Sequence, residues 1–102
     1  MRHFTQGQVR EALAFAAAGG QALHTHRVIP YRAGAPRCFL AAVDRGEDIA
    51  HLIDHDMDRL RATARRLGLR RVYIDRQGRP GQHVDLCGGP LRRALAMCEG
   101  AV

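Results

Sequence analysis

The chain contains no lysine and no tryptophan, and aromatic side chains make up only 5% of its 102 residues. With so few rings to fill an interior, the core must be assembled from Ala, Leu, Val and Ile, which leaves little surplus stability. Cysteine is scarce as well. Cys38, Cys87 and Cys98 are odd in number and form no C-x-x-C pair, which argues against a disulfide framework and for a reducing, cytoplasmic compartment. No apolar run is long enough to span a membrane. The stretch from Ala12 to Ala18 has the small residues of a secretion signal, but it is short and follows Glu11, so it reads as a helix. The phosphate-binding patterns G-x-x-x-x-G-K-[S/T] and G-x-G-x-x-G are missing, as is H-E-x-x-H, so neither a nucleotide site nor a helical zinc motif is indicated.

What is present is ordinary globular material: 46% apolar and 25% charged residues, on a length that suits one domain over residues 1–102. The positive charge is carried by arginine alone, and its distribution is uneven. Residues 57–81 hold eight Arg against two Asp, whereas the segments on either side are balanced, so the formal charge of +6 resides in that stretch. A GC-rich coding sequence accounts for arginine in place of lysine, but not for the clustering.

The hydrophobic pattern predicts an α+β fold. A capping box at Thr5 and Gln8, with Phe4 and Val9 at the staple positions, announces a first helix that Gly19-Gly20 ends. Residues 24–31 and 37–44 read as strands joined by a turn. From Ile49 to Leu67 two readings stay open: one long helix, or a short strand Ile49–Ile53 followed by a helix from Met57 that Asp54 or Asp56 caps. Both end at Gly68. Residues 71–75 and 82–86 read as a hairpin with Val84 and Leu86 facing the core, and Pro90 opens a last helix carrying Leu91, Ala94, Leu95 and Cys98 inward. The expected architecture is a small mixed or antiparallel sheet of four to five short strands covered by three helices, in the order αββ(β)αββα.

The pattern His51-Leu52, Leu60, Ala64, Gly68-Leu69, Arg71, His83-Val84-Asp85-Leu86 and Gly100-Ala101 resembles a family of bacterial and phage proteins known as domain of unknown function 4031. The likeness covers residues 43–102. It departs from the family where a His-Tyr-Asp triplet becomes His83-Val84-Asp85, and where an expected acid falls on His55 between Asp54 and Asp56. The resemblance implies that Ile49–Ile53 is a strand. It lends no activity.

Three groups of residues can carry chemistry. Arg59, Arg61, Arg65 and Arg66 on a helix, continued by Arg70, Arg71, Arg76 and Arg79, can contact successive phosphates. They serve equally as a solvated face, and Tyr73 alone is no stacking platform for single strands. At the last helix, Gly88-Gly89-Pro90 with Arg92 and Arg93 sets two cations against a positive helix end, an arrangement an anion relieves. His24 and His26 alternate on one strand, and His83 and Asp85 on another; with His51 and Asp54 or Asp56 they are adequate for a divalent metal or for acid–base work. The leading expectation is a nonenzymatic module that binds nucleic acid or another polyanion through its arginines. The alternatives are a small metal-dependent hydrolase or nuclease using His51, His83 and Asp85, and a phage- or mobile-element-encoded protein that docks on an acidic partner protein.

Overall fold

A computed structural model describes residues 1–27 and 37–100. Four strands and four helices alternate along the chain: β1 (Arg2–Phe4), α1 (Val9–Ala17), β2 (Gln21–His26), α2 (Arg37–Asp44), β3 (Ile49–Asp54), α3 (Met57–Arg66), β4 (His83–Leu86) and α4 (Gly88–Gly100). The strands lie in sequence order across one sheet, β1 parallel to β2 and the rest antiparallel. The fold is therefore α+β with a mixed four-stranded sheet. Among the described residues no helix is long and apolar enough to cross a membrane.

The two faces of the sheet follow from alternation along each strand. Leu23, Ala50, Leu52, Val84 and Leu86 point to one side, where Leu60, Ala64 and Leu67 of α3 and Leu91 and Ala94 of α4 complete the main core. On the other side, α1 lays Ala12 and Ala16 against Phe4, Ala22 and Ile53. α2 sets Ala42 against Ile49 and Cys87 on that same side. Small alanines at the contact points let α1 sit close to the sheet.

Several expectations hold. Ile49–Asp54 is a strand, and Asp56 caps α3 by accepting from the Arg59 backbone N–H at 3.0 Å. Gly68, at φ 98°, ends that helix, with Leu69 N–H returning to the Ala64 carbonyl.

Others are corrected. Residues 37–44 form a helix rather than a strand, because Phe39, Ala42 and Val43 recur at helical spacing and most of the segment favours helix. The fold thus has four helices instead of three. β1 escaped notice because three residues cannot display a period. The strand expected over 24–31 runs from Gln21 to His26 and has ended at Arg27; residues 28–31, and the turn expected after them, fall outside the described residues. The hairpin of 71–75 with 82–86 shrinks to a single bridge, Asp75 to His83, and β4 takes β3 as its partner.

The first helix begins at Val9. Gln8 Oε1 accepts from the Thr5 N–H at 2.8 Å, which is one arm of a capping box. Thr5 Oγ1 donates to that same oxygen, so the second arm is absent. The staple is missing too, since Val9 is exposed while Phe4 packs on Phe15 with ring centroids 5.6 Å apart. Pro90 is the third residue of α4, still in the first turn where a missing N–H costs nothing. The expectation against disulfides is corrected at Cys87, which is disulfide-bonded; an odd count without close spacing says nothing about pairs distant in sequence.

Candidate metal centre

Between the areas of sheet covered by α1 and α2, the strand registers set His24 of β2, His51 of β3 and Asp85 of β4 in one row across the sheet. His83 and His26 lie on the same face, each two residues along its strand from a member of that row. The sequence expectation that Val84 and Leu86 face the core while His83 and Asp85 face away is met.

The side chains form a continuous chain of contacts. His26 Nδ1 lies 3.0 Å from the Arg27 carbonyl, and His26 Nε2 lies 2.9 Å from His51 Nε2. His51 Nδ1 is 2.8 Å from Asp85 Oδ1, and His83 Nε2 is 3.4 Å from that same oxygen and 3.7 Å from Asp75 Oδ2. His83 Nδ1 is 2.7 Å from the Gly81 carbonyl. The rings of His51 and His83 meet edge to face with centroids 4.5 Å apart.

A carbonyl only accepts, so His26 and His83 each carry a proton on Nδ1. A neutral His26 then offers a lone pair at Nε2, and His51 must donate to it. To donate to Asp85 as well, His51 needs a proton on both nitrogens. His83 needs a second proton for the same reason, or its Nε2 lone pair faces two carboxylates. An extra proton shared by the His26–His51 pair, or a cation held among His51, His83 and Asp85, would complete the cluster. One donor atom from each of these three residues falls within 4.8 Å of the others. Tetrahedral zinc, with bonds of roughly 2.1 Å, needs donors about 3.4 Å apart, so the three donors would have to draw closer together to hold it. His83 already has the outer hydrogen bond, from Nδ1 to a carbonyl, that orients a metal-binding imidazole.

Electrostatics agree with this arrangement. Burial works against the Asp85 charge, but hydrogen bonds from His51 and His83 hold its carboxyl well below the usual carboxylate range. Burial also opposes charge on His83, and the contacts with Asp85, Gly81 and Asp75 outweigh it and raise its pKa. His26 is shifted down, chiefly by burial.

His24 is 6% exposed, and among the described residues neither of its ring nitrogens has a hydrogen-bond partner. Burial and the neighbouring His26 and His51 lower its pKa. Its folded value lies under 6.5, so the unfolded chain binds that proton first and His24 removes stability as the pH falls through 6.5. His83 works in the opposite direction, adding stability below 6.5 that is lost as the pH rises through its own raised value. A His24→Phe variant should therefore lose less stability than the parent between pH 7 and pH 5. Urea unfolding at the two pH values measures this, and equal losses would contradict it.

The remaining sequence candidates are dispersed. Asp54 is three residues from His51, an odd separation, so it points to the opposite face; Asp56 lies beyond the strand as a helix cap. Arg59 donates Nε and Nη2 to the Asp54 carboxylate at 2.6 and 2.7 Å and Nη2 to the Gly19 carbonyl at 2.9 Å, which makes it a structural tie. Arg93 donates to the Leu67 carbonyl at the end of α3, and Arg92 stands 3.9 Å from Glu47. Arg61, Arg65, Arg66, Arg70 and Arg71 are exposed, and among the described residues none has an acidic partner. Arg76 and Arg79 face a cleft beside α1. α3 packs on the opposite side of the sheet, so the arginine-rich segment is divided by the sheet instead of forming one strip. Asp75 was not expected in the cluster, whereas His26 was grouped with it through its spacing from His24 on one strand.

Compared with protein-family models, with curated proteins and with solved structures, the chain matches none.

Proposed function

We propose that this protein is a small metal-dependent hydrolase whose ion is a divalent transition metal of the zinc class, held by His51, His83 and Asp85. The observation that supports the reading is the convergence of these three donors from β3 and β4 on one partly open sheet face. Two imidazoles and one carboxylate suit zinc or its neighbours better than calcium or magnesium, which favour all-oxygen sites. Three protein ligands would leave a coordination position for water, and an ion held there would supply a hydroxide nucleophile near neutral pH. His26, whose pKa burial lowers, lies 2.9 Å from His51 Nε2 and would orient that ligand by accepting its N–H. The test is hydrolysis of bis(4-nitrophenyl) phosphate by metal-free and zinc-loaded protein. Turnover that appears with zinc and disappears with chelator is expected; equal rates in both states would remove the reading.

A second reading keeps a specific observation of its own. The unpaired guanidinium groups of Arg61, Arg65, Arg66, Arg70 and Arg71 suit a polyanion, whether nucleic acid or an acidic protein surface. Its mark would be binding of a duplex oligonucleotide that weakens steeply with added salt. A flat titration at low salt with both DNA and RNA would leave the acidic protein partner.

A further inference from the structure

A cleft of about 450 Å³ opens on the histidine face between α1 and the loop of residues 76–82. Its walls are apolar and small-residued on the helix side, with Leu13, Ala14 and Ala17, and Ile53 lines it from the sheet. Ile53 pairs in register with His83, and Gly81 and Gln82 line the cleft immediately before His83 in the chain. The cleft therefore adjoins the metal centre.

The loop on its far side is built to hold its shape. The Gln82 side chain is buried; its Nε2 donates to the Asp54 carbonyl at 2.9 Å, and its Oε1 accepts from the Gly78 N–H at 2.8 Å. Arg79 N–H returns to the Arg76 carbonyl, and Gln82 N–H to the Arg79 carbonyl. Arg76 is held at φ 57°, a left-handed conformation that costs a non-glycine side chain energy and needs surroundings that enforce it. Its guanidinium reaches the wall of the cleft, where a Cβ on Gly81 would meet Leu13 at 3.6 Å and Arg76 Nη1 at 3.7 Å. Arg76 and Arg79 make no ion pair among the described residues, and the Asp54 carboxylate, on the opposite face of the sheet, is already matched by Arg59. The cleft is thus an apolar space with two unmatched guanidinium groups on one side.

The geometry points to a binding site for a small organic oxyanion, a phosphate or carboxylate group on an apolar body, with Arg76 and Arg79 holding the anion and Leu13, Ala17 and Ile53 enclosing the body. Guanidinium forks match both kinds of head group. The volume lies within the roughly 300–1,000 Å³ of small-molecule sites, which favours a single compact molecule over a polymer strand. As a statement about the substrate, this rests on the metal-centre reading. As a binding site, it does not.

Calorimetric titration of metal-free protein with phenyl phosphate, phenylacetate and inorganic phosphate tests the cleft. One of the two aryl anions is expected to bind, more tightly than inorganic phosphate, and the tighter of the two identifies the head group. Arg76→Gln with Arg79→Gln should weaken that binding at least tenfold, and Ala17→Phe, which fills the space, should do the same. Zinc stoichiometry, measured separately, should be the same in both variants as in the parent. Aryl-anion binding by a protein that takes up no zinc would support the cleft while removing the metal centre. Failure of both aryl anions to bind, or parental affinity in both variants, would overturn the proposal.

Discussion

Replacing Asp54 by alanine is expected to destabilise the fold by about 3 kcal/mol, the largest effect of any single polar side chain on this sheet. The carboxylate is fully buried and accepts four hydrogen bonds, from Arg59 Nε and Nη2, Gln21 Nε2 and the Asp56 N–H. These contacts join β2, β3 and the first turn of α3, and Gln21 extends them to Thr63 at 2.9 Å. In the alanine variant the Asp56 N–H loses its acceptor, and the Gln21 amide keeps only Thr63. Arg59, whose side chain is 44% exposed, can turn to water. That escape holds the expected cost toward the lower end of the roughly 3–5 kcal/mol typical when a buried pair is broken. Arg59→Ala should also destabilise, because it leaves the buried carboxylate without its counter-charge. Urea denaturation at pH 7 should show a lowered midpoint with an unchanged slope. A midpoint equal to that of the parent would mean that the network contributes nothing.

Asp85→Ala is expected to weaken metal binding by about 100-fold or more, beyond the 10–100-fold typical of losing a group that only orients a ligand. Asp85 supplies the one negative charge among the three donors and lies closest to both imidazoles. Without it, His51 and His83 would present two neutral ligands on an open surface, too few to hold zinc against solvent. Competition with a chelating dye reports the affinity directly. Asp75→Ala serves as the control, since its carboxylate stands 3.7 Å from His83 and is largely exposed; it should change the affinity far less. Equal losses in the two variants would place the ion elsewhere.

The parts of the site that were legible in the sequence are those set by alternation within one strand. Val84 and Leu86 needed a core, so His83 and Asp85 had to face away from it. Convergence with His51 could not be read this way, because it depends on which strands pair. The apparent hairpin put residues 71–75 beside β4. The structure puts β3 there, in the register that stacks Leu52 against Val84 and Ala50 against Leu86 and thereby brings His51 onto Asp85. Asp54 was grouped with the histidines by proximity in sequence, although three residues along a strand reverse the face. Charge counted along the chain likewise does not reveal that a sheet separates Arg76 and Arg79 from α3. α2 was taken for a strand because a short apolar run fits either period, and its helical stripe became decisive only once Ile49 and Cys87 were seen to receive it.

The most direct measurement of the central claim is anomalous diffraction at the zinc absorption edge from crystals grown with one equivalent of zinc. A single strong peak is predicted, about 2 Å from one nitrogen of His51, one nitrogen of His83 and a carboxylate oxygen of Asp85. A map with no peak at that position, and with His51 still bonded to both Asp85 and His26, would contradict it.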